Sequence, residues 1–206
     1  MLLSFSKWLQ WTQPPLETES SIVTSAIKGD PTFPLRHRLE RAAWNAVWTL
    51  FAAWTPVALH RWRIILLNRF GAQIHHTAHV YPSARIWHPR NLSMGAHACL
   101  GPESQSYCMA KIELASFAIV SQGAHLCAGT HDVDDPEFPL VTRPIYVGER
   151  AWIAAGAFVG PGVRVGEGAV LGARGAAFRD LSPWIIYGGN PAREIRRRQN
   201  LTSAHD

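Results

Sequence analysis

From Ile145 onward the chain sets bulky aliphatic and small positions on a six-residue period without a slip: IYVGER, AWIAAG, AFVGPG, VRVGEG, AVLGAR, GAAFRD. The third position of each unit is Val147, Ile153, Val159, Val165, Leu171 or Ala177, apolar throughout. The fourth is Gly148, Ala154, Gly160, Gly166 or Gly172, until Phe178 breaks the series. A bulky aliphatic followed by a residue with little or no side chain predicts a short strand that packs inward and then enters a tight corner with an unusual backbone angle. One local structure repeated at this period predicts a parallel β-helix.

The same frame runs backwards through VYPSAR, IWHPRN, LSMGAH and ACLGPE, starting at Val80, Ile86, Leu92 and Ala98. After a shift of two residues it resumes as IELASF, AIVSQG and AHLCAG from Ile112, so the solenoid is expected over 72–190. Two stretches fall out of register: Ser104 to Lys111, and THDVDDPEFPLVTRP at 130–144. Out-of-register insertions in a repeat array map to loops, and such loops often carry the binding face.

Ahead of the solenoid the pattern changes period. No charge appears between Arg41 and His60, and Trp44, Trp48 and Phe51 recur at helical spacing. Asn45, Thr49, Thr55 and Pro56 interrupt the apolar run, which argues against a membrane span. Pro56 is expected to end or kink the first helix, and a second is expected from about Val57 to Phe70, stopped by Gly71. This 35–71 segment reads either as a cap over the end of the solenoid or as a membrane-surface element with tryptophans at headgroup level.

Composition adds one large core, since the chain has 206 residues and 47% hydrophobic content. The net charge of +5 gathers toward the ends, in Arg36, Arg38, Arg41, Arg61, Arg63 and Arg69 and again in Arg193, Arg196, Arg197 and Arg198. That distribution suits anionic small molecules or an anionic membrane surface, and no nucleic-acid motif accompanies it. Cys99, Cys108 and Cys127 are odd in number and lack paired or metal-ligand spacing, which fits a cytoplasmic protein without disulfides. The opening MLLSFSKWLQW does not read as a signal peptide. Residues 1–34 read as a flexible arm, and residues 191–206 as a basic helix and tail.

His131 opens the long insertion directly after the hexad AHLCAG. A histidine on a loop beside a rigid wall can be held for proton transfer near neutral pH, with Asp132, Asp134 or Asp135 to bias its ionisation or orientation. Cys127 is the other conceivable nucleophile, although a cysteine within a hexad is ordinarily a small core residue.

The strings SQGAHLCAGTHDVDDPEFPLVTRPI, GERAWIAAGAFVGPGV and YGGNPAREIRRR resemble the hexapeptide-repeat acyltransferases, and more narrowly the sugar O-acetyltransferases of colanic-acid and exopolysaccharide biosynthesis. The resemblance implies an all-β, left-handed parallel β-helix with an N-terminal helical segment and a short C-terminal helix, assembled as a homotrimer. It implies direct transfer from acetyl-CoA, with no metal, to a hydroxyl of a sugar or glycan acceptor, His131 acting as general base. Trp152 and Ala155 match positions that touch the pantetheine in related enzymes, Ala173 matches a backbone contact, and Arg179, Arg193 and Arg196 match basic sites near the phosphates. Ser104, Gln105, Tyr107 and Gln122, with Asp132, are the candidate acceptor contacts. Whether the acceptor is free, nucleotide-linked or lipid-linked stays open, and with it whether the enzyme is peripheral at the inner face of the plasma membrane.

Two other classes share the architecture. In a γ-carbonic-anhydrase-like zinc enzyme, eighteen residues per coil would stack His79 on His97 at about 5 Å, one ligand short of the three that a catalytic zinc needs. In a non-catalytic β-helix scaffold, His131 and the basic C-terminal motif would be relics.

Overall fold

The computed structural model describes residues 33–199, so the arm expected over 1–34 lies outside the described residues except for Phe33 and Pro34, as does the tail from residue 200. Two helices come first, α1 (Leu35–Phe51) and α2 (His60–Arg69). The first stops ahead of Pro56, and the second ends where Gly71 takes φ 92, a left-handed conformation that glycine adopts at little cost.

The chain then winds through coils of three short strands. The first coil is β1 (Gln73–Ile74), β2 (His79–Val80) and β3 (Arg85–Ile86); the second is β4 (Leu92–Met94), β5 (Cys99–Leu100) and β6 (Gln105–Tyr107). The third is β7 (Ile112–Leu114), β8 (Ile119–Val120) and β9 (His125–Cys127), followed by an excursion made of β10 (Gly129–His131) and β11 (Leu140–Thr142). Two further coils are β12 (Ile145–Val147), β13 (Trp152–Ile153) and β14 (Phe158–Val159), then β15 (Arg164–Val165), β16 (Val170–Leu171) and β17 (Ala176–Ala177). The chain closes with β18 (Ile185–Gly188) and β19 (Arg193–Arg197).

Strands stack in parallel into three faces. The first is β1-β4-β7-β12-β15, the second β2-β5-β8-β13-β16-β18 and the third β3-β6-β9-β14-β17. The protein is therefore all-β, a left-handed parallel β-helix with a helical N-terminal segment. We number the corners by the faces they follow, so the third corner leads from the third face back to the first.

The period-six aliphatics are the core. Val147, Ile153, Val159, Val165 and Leu171 are fully buried, and Val80, Leu100, Val120, Ile153 and Leu171 form one continuous inward column on the second face. Each such side chain removed from water contributes about 1.5–3 kcal/mol. The small fourth position has a different cause from the one expected. Gly148 and Gly166 are absent from the positive-φ residues; the left-handed angle falls two positions later, at Arg150, Gly156, Gly162, Gly168 and Arg174. What the fourth position needs is space: a Cβ on Gly148 would stand 2.7 Å from Glu167 N, and one on Gly166 2.6 Å from Pro183 N.

Coil length also departs from the expected eighteen residues. Arg85, Gln105 and His125 are successive partners on the third face at twenty-residue intervals, whereas Phe158 and Ala176 follow at eighteen. The extra residues sit at the third corner, in a 3-10 turn at Pro89–Asn91 and again between Tyr107 and Ile112. The Asn91 amide donates to Cys108 O at 3.0 Å and Met109 O at 2.9 Å, fastening one enlarged corner to the next. With this spacing His79 pairs with Cys99, and His97 stacks instead on Phe117 at 5.0 Å. The expected His79–His97 ladder does not form.

The exposed edge of the first coil is closed by side chains of the two helices on every face, with His60 Nδ1 also 3.0 Å from Val80 O. Asn68 donates to Ile74 O and accepts from Ile74 N, Arg63 Nε donates to Val80 O at 2.7 Å, and Trp44 Nε1 donates to Ile86 O at 2.8 Å. Trp44, Ile64 and Leu67 join the same apolar core. Arg63, grouped above with the surface cations, is buried, and its guanidinium also holds Thr55 Oγ1 and the Pro56 and Val57 carbonyls.

Among the described residues of 191–206 the expected helix is not formed. Residues 193–197 are β19, antiparallel to β18, with a bulge at Ile195. The turn through Gly189, Asn190 and Pro191 sends the basic run back along the free edge of β18. Pairing that edge satisfies backbone groups that no further coil would cover.

Candidate functional site

The excursion at the third corner is a β-hairpin in which Gly129, Thr130 and His131 face Thr142, Val141 and Leu140. Its base rests on the enlarged corner below. Ala128 N donates to Tyr107 O at 3.1 Å, Ile145 N donates to Lys111 O at 2.9 Å, and a Cβ on Gly129 would meet Met109 Sδ at 2.5 Å. The flexible Met109 thioether thus packs directly over Gly129 where the hairpin leaves the solenoid.

At the end of β10, His131 Nδ1 lies 2.9 Å from Phe138 O, and the His131 ring stacks on the Phe138 ring at 4.5 Å with 7° between planes. A carbonyl only accepts, so Nδ1 carries a proton, and in the neutral ring Nε2 is the nitrogen with the lone pair. Asp132 and Asp135 do not orient the ring. Their carboxylates accept from Asp134 N and Glu137 N, forming side-chain turns at the tip, while Asp132 N donates to Pro139 O. Phe138, which the sequence did not single out, supplies both the carbonyl and the stacking surface. Its left-handed φ of 47 is a trait of the fold with no signal in the residue type.

Cys127 is half-buried and its thiol donates to Gly129 O at 3.2 Å. Burial pushes the Cys108 thiol up to about 11. Among the described residues no three His, Cys, Asp or Glu side chains converge in a way that could hold a metal ion.

The candidates for the donor occupy two places. Ala155 and Ala173 lie at the second corner one coil apart, joined by Arg174 N to Ala155 O at 2.9 Å, and Arg193 pairs with Gly188 at the same end of the second face. Trp152, Val170, Ile186 and Arg196 are successive partners across that face; the Trp152 ring is 43% exposed and its indole donates to Ser121 Oγ at 2.8 Å. Arg179 stands apart, beyond β17 at the third corner, two coils above the point on that corner from which the hairpin emerges.

The acceptor candidates separate further. Ser104 is 1% exposed and its hydroxyl donates to Gly101 O at 2.8 Å, because it occupies the column of small inward residues that also holds Ala84 and Ala124. Gln122 is at the second corner, where its carbonyl accepts from Gly156 N. Gln105 and Tyr107 do lie together on the outer third face. They border a groove of 610 Å³ between that face and α1, shared with Arg41, Trp48, Arg85 and Trp87.

The Arg41 guanidinium lies 4.1 Å from the Trp87 ring centre, and aromatic contacts continue from Trp87 through Tyr107 and His125 to Phe158. His125 Nε2 is buried without a hydrogen-bond partner among the described residues, and burial pushes its pKa down. Arg41, Arg85 and Trp87 were missed as groove residues. Arg41 comes from α1, while Arg85 and Trp87 flank the inward Ile86, and the twenty-residue coil that sets them under Gln105 and Tyr107 was hidden by the eighteen-residue frame.

No family model matches the chain. It is 39% identical over 155 residues, 75% of this chain and 85% of the other, to the putative colanic acid biosynthesis acetyltransferase WcaF of Escherichia coli (strain K12). Among solved structures it resembles a galactoside acetyltransferase in complex with coenzyme A, with TM-score 0.73 and 20% identity over 81% of this chain and 84% of that one. It also resembles a hexapeptide-repeat-containing acetyltransferase of Vibrio cholerae O1 biovar eltor complexed with acetyl coenzyme A, with TM-score 0.72 and 18% identity over 82% and 93% of the two chains. These last two likenesses are ones of fold.

Proposed function

Because the chain belongs to the hexapeptide-repeat acetyltransferases, and is thus an enzyme using acetyl-CoA, we propose that it acetylates a hydroxyl of a sugar in exopolysaccharide or related glycan biosynthesis, with His131 as general base. The observation that carries this reading is the hydrogen bond from His131 Nδ1 to Phe138 O, which leaves Nε2 as the acceptor. The acceptor hydroxyl gives its proton to Nε2 as its oxygen bonds to the acetyl carbonyl carbon. The carbon–sulfur bond then breaks, and the thiolate of CoA takes the proton back from the imidazolium.

Acetyl-CoA runs along the second corner in this proposal. Ala155 and Ala173 leave the backbone open to the pantetheine, Trp152 offers a flat apolar surface, and Arg193 and Arg196 offer planar donors to phosphate. His131 stands at a different corner of the prism, so a single chain does not line both halves of the site. The reading therefore includes a homotrimer in which the third corner of one copy faces the second corner of its neighbour, with Arg179 approaching the phosphates from the His131 side. Gln105 and Tyr107 serve the acceptor. The polysaccharide assignment rests on the name of the colanic acid relative, and the cytoplasm is the compartment because acetyl-CoA is supplied there.

The test is release of free CoA from acetyl-CoA across a panel of mono- and oligosaccharides, comparing the wild type with His131→Ala. Acceptor-dependent release should fall by roughly 10²–10⁴-fold in the variant. Release unaffected by the substitution removes His131 from its role. CoA binding without turnover on any acceptor favours the scaffold reading.

A further inference from the structure

The face of the α1–α2 hairpin turned away from the solenoid is apolar and unpartnered. Leu50, Phe51, Trp54, Val57, Trp62 and Ile65 are all exposed, Trp54 by 71% and Leu50 by 62%. A soluble surface tolerates single apolar residues, but a contiguous aromatic patch of this kind marks a contact. Many polar atoms within the patch are already paired. The Trp54 indole donates to Leu50 O and the Trp62 indole to Phe51 O, both at 2.7 Å. Arg63, from beneath, takes the Pro56 and Val57 carbonyls, while Thr55 N and Leu59 N donate to Ala52 O and Pro56 O. A loop that is apolar outside and hydrogen-bonded at these groups loses less on entering a hydrocarbon boundary than one whose polar groups are all open.

Charge selects the occupant. Between Glu40 and Glu103 the sequence has no Asp or Glu, and Arg61 and Arg69 are exposed on α2 on the same side as Ile65 by helical spacing. Two copies of such a face would bring arginines against arginines, whereas an anionic bilayer complements both the arginines and the tryptophans. No helix among the described residues is long and apolar enough to cross a membrane.

We propose that the α1–α2 hairpin is a membrane-docking surface that lays Leu50, Phe51, Trp54 and Trp62 into the interface of an anionic lipid bilayer, with Arg61 and Arg69 at the headgroups. This rests on no part of the acetyl-transfer reading. Trp44, Arg63 and Asn68 hold the inner side of the same hairpin on the first coil, so docking would fix the orientation of the whole solenoid relative to the lipid surface.

The test is co-sedimentation of the full chain with vesicles of phosphatidylglycerol and phosphatidylcholine in equal parts, and with phosphatidylcholine alone. Binding to the mixed vesicles should exceed binding to the neutral ones by about tenfold, and both Trp54→Ser/Trp62→Ser and Arg61→Glu/Arg69→Glu should lower it by about tenfold or more. The arginine pair keeps the test decisive if the tryptophan variant fails to fold, as judged by thermal melting of each protein. Failure of the wild type to sediment with mixed vesicles overturns the proposal. So does undiminished binding by a folded variant, or a change of oligomeric mass in the folded tryptophan variant, which would assign the face to another copy of the chain.

Discussion

The coils before Ile112 and those after Ile145 share one device at the first corner and differ at the third. At the first, the next coil's backbone comes so close to Gly95, Gly148 and Gly166 that no Cβ fits, and in the later coils every side takes six residues. In the earlier coils the third corner is two residues longer, and side chains fasten it: Asn91 to Cys108 and Met109, and Cys108 Sγ to His88 O. The hairpin that carries His131 leaves from this same third corner, one coil after the second enlargement. A rigid repeat and a functional loop coexist in one solenoid because the loop grows from a corner held by replaceable side-chain bonds. It does not grow from one where glycine packs against backbone.

The difference can be broken from the strict side first. Gly166→Val should be the most damaging change, costing about 3 kcal/mol or more as read by thermal denaturation, since Pro183 N and Leu181 O are backbone atoms that cannot step aside. On the looser side Asn91→Ala should cost about 1–3 kcal/mol, because two carbonyls lose a shared donor while the corner keeps its length. Comparable losses from the two would undo the distinction.

Acid should sharpen it with the smallest effect. His88 is buried at the first enlarged corner, its Nδ1 without a partner among the described residues, and its ring lies 4.5 Å from that of His37 on α1. Burial pushes both imidazoles down. His88 and Arg41 push His37 further and Glu40 opposes; at His88 Glu40 also opposes, against Arg90 and Arg41. Folded values below the unfolded ones mean stability that is whole above the ordinary imidazole value and declines as pH falls through the depressed folded values. Between about pH 7 and pH 5, hydrogen-exchange protection factors, which correct for the slower intrinsic exchange in acid, should therefore fall in α1 and the first coil before they do in the coils after Ile145, which hold no histidine among the described residues. Equal loss of protection throughout would contradict this.

The strict frame was legible because Val147 through Ala177 hold inward positions six apart, and the chain after Ile145 follows it residue by residue. The first enlargement was hidden, since Leu92 is itself apolar and stands six residues after Ile86, whereas the residue stacked on Ile74 is Met94. Ser104 was set in an out-of-register stretch, yet it faces in six residues after Ala98. The slip put His79 over His97 when it faces Cys99. The run REIRRR reads as a helix from composition alone, and the free edge of β18, which only the fold creates, makes it a strand. His131 was readable from its place at the start of the insertion. Its partner Phe138 was not, because a backbone carbonyl leaves no mark on residue type.

The two ends of the solenoid have a consequence for how many molecules join in a line. A stack of parallel coils with matching free edges at both ends is a template for unlimited end-to-end growth, each copy extending the last into a filament. Here one terminus is plugged by Asn68, Arg63 and Trp44, and at the other β19 runs in the wrong direction for another parallel coil while Asp180 takes the Arg164 amide. Among the described residues, lengthwise addition of a further parallel coil is blocked at both ends, and association between copies is left to the sides of the prism.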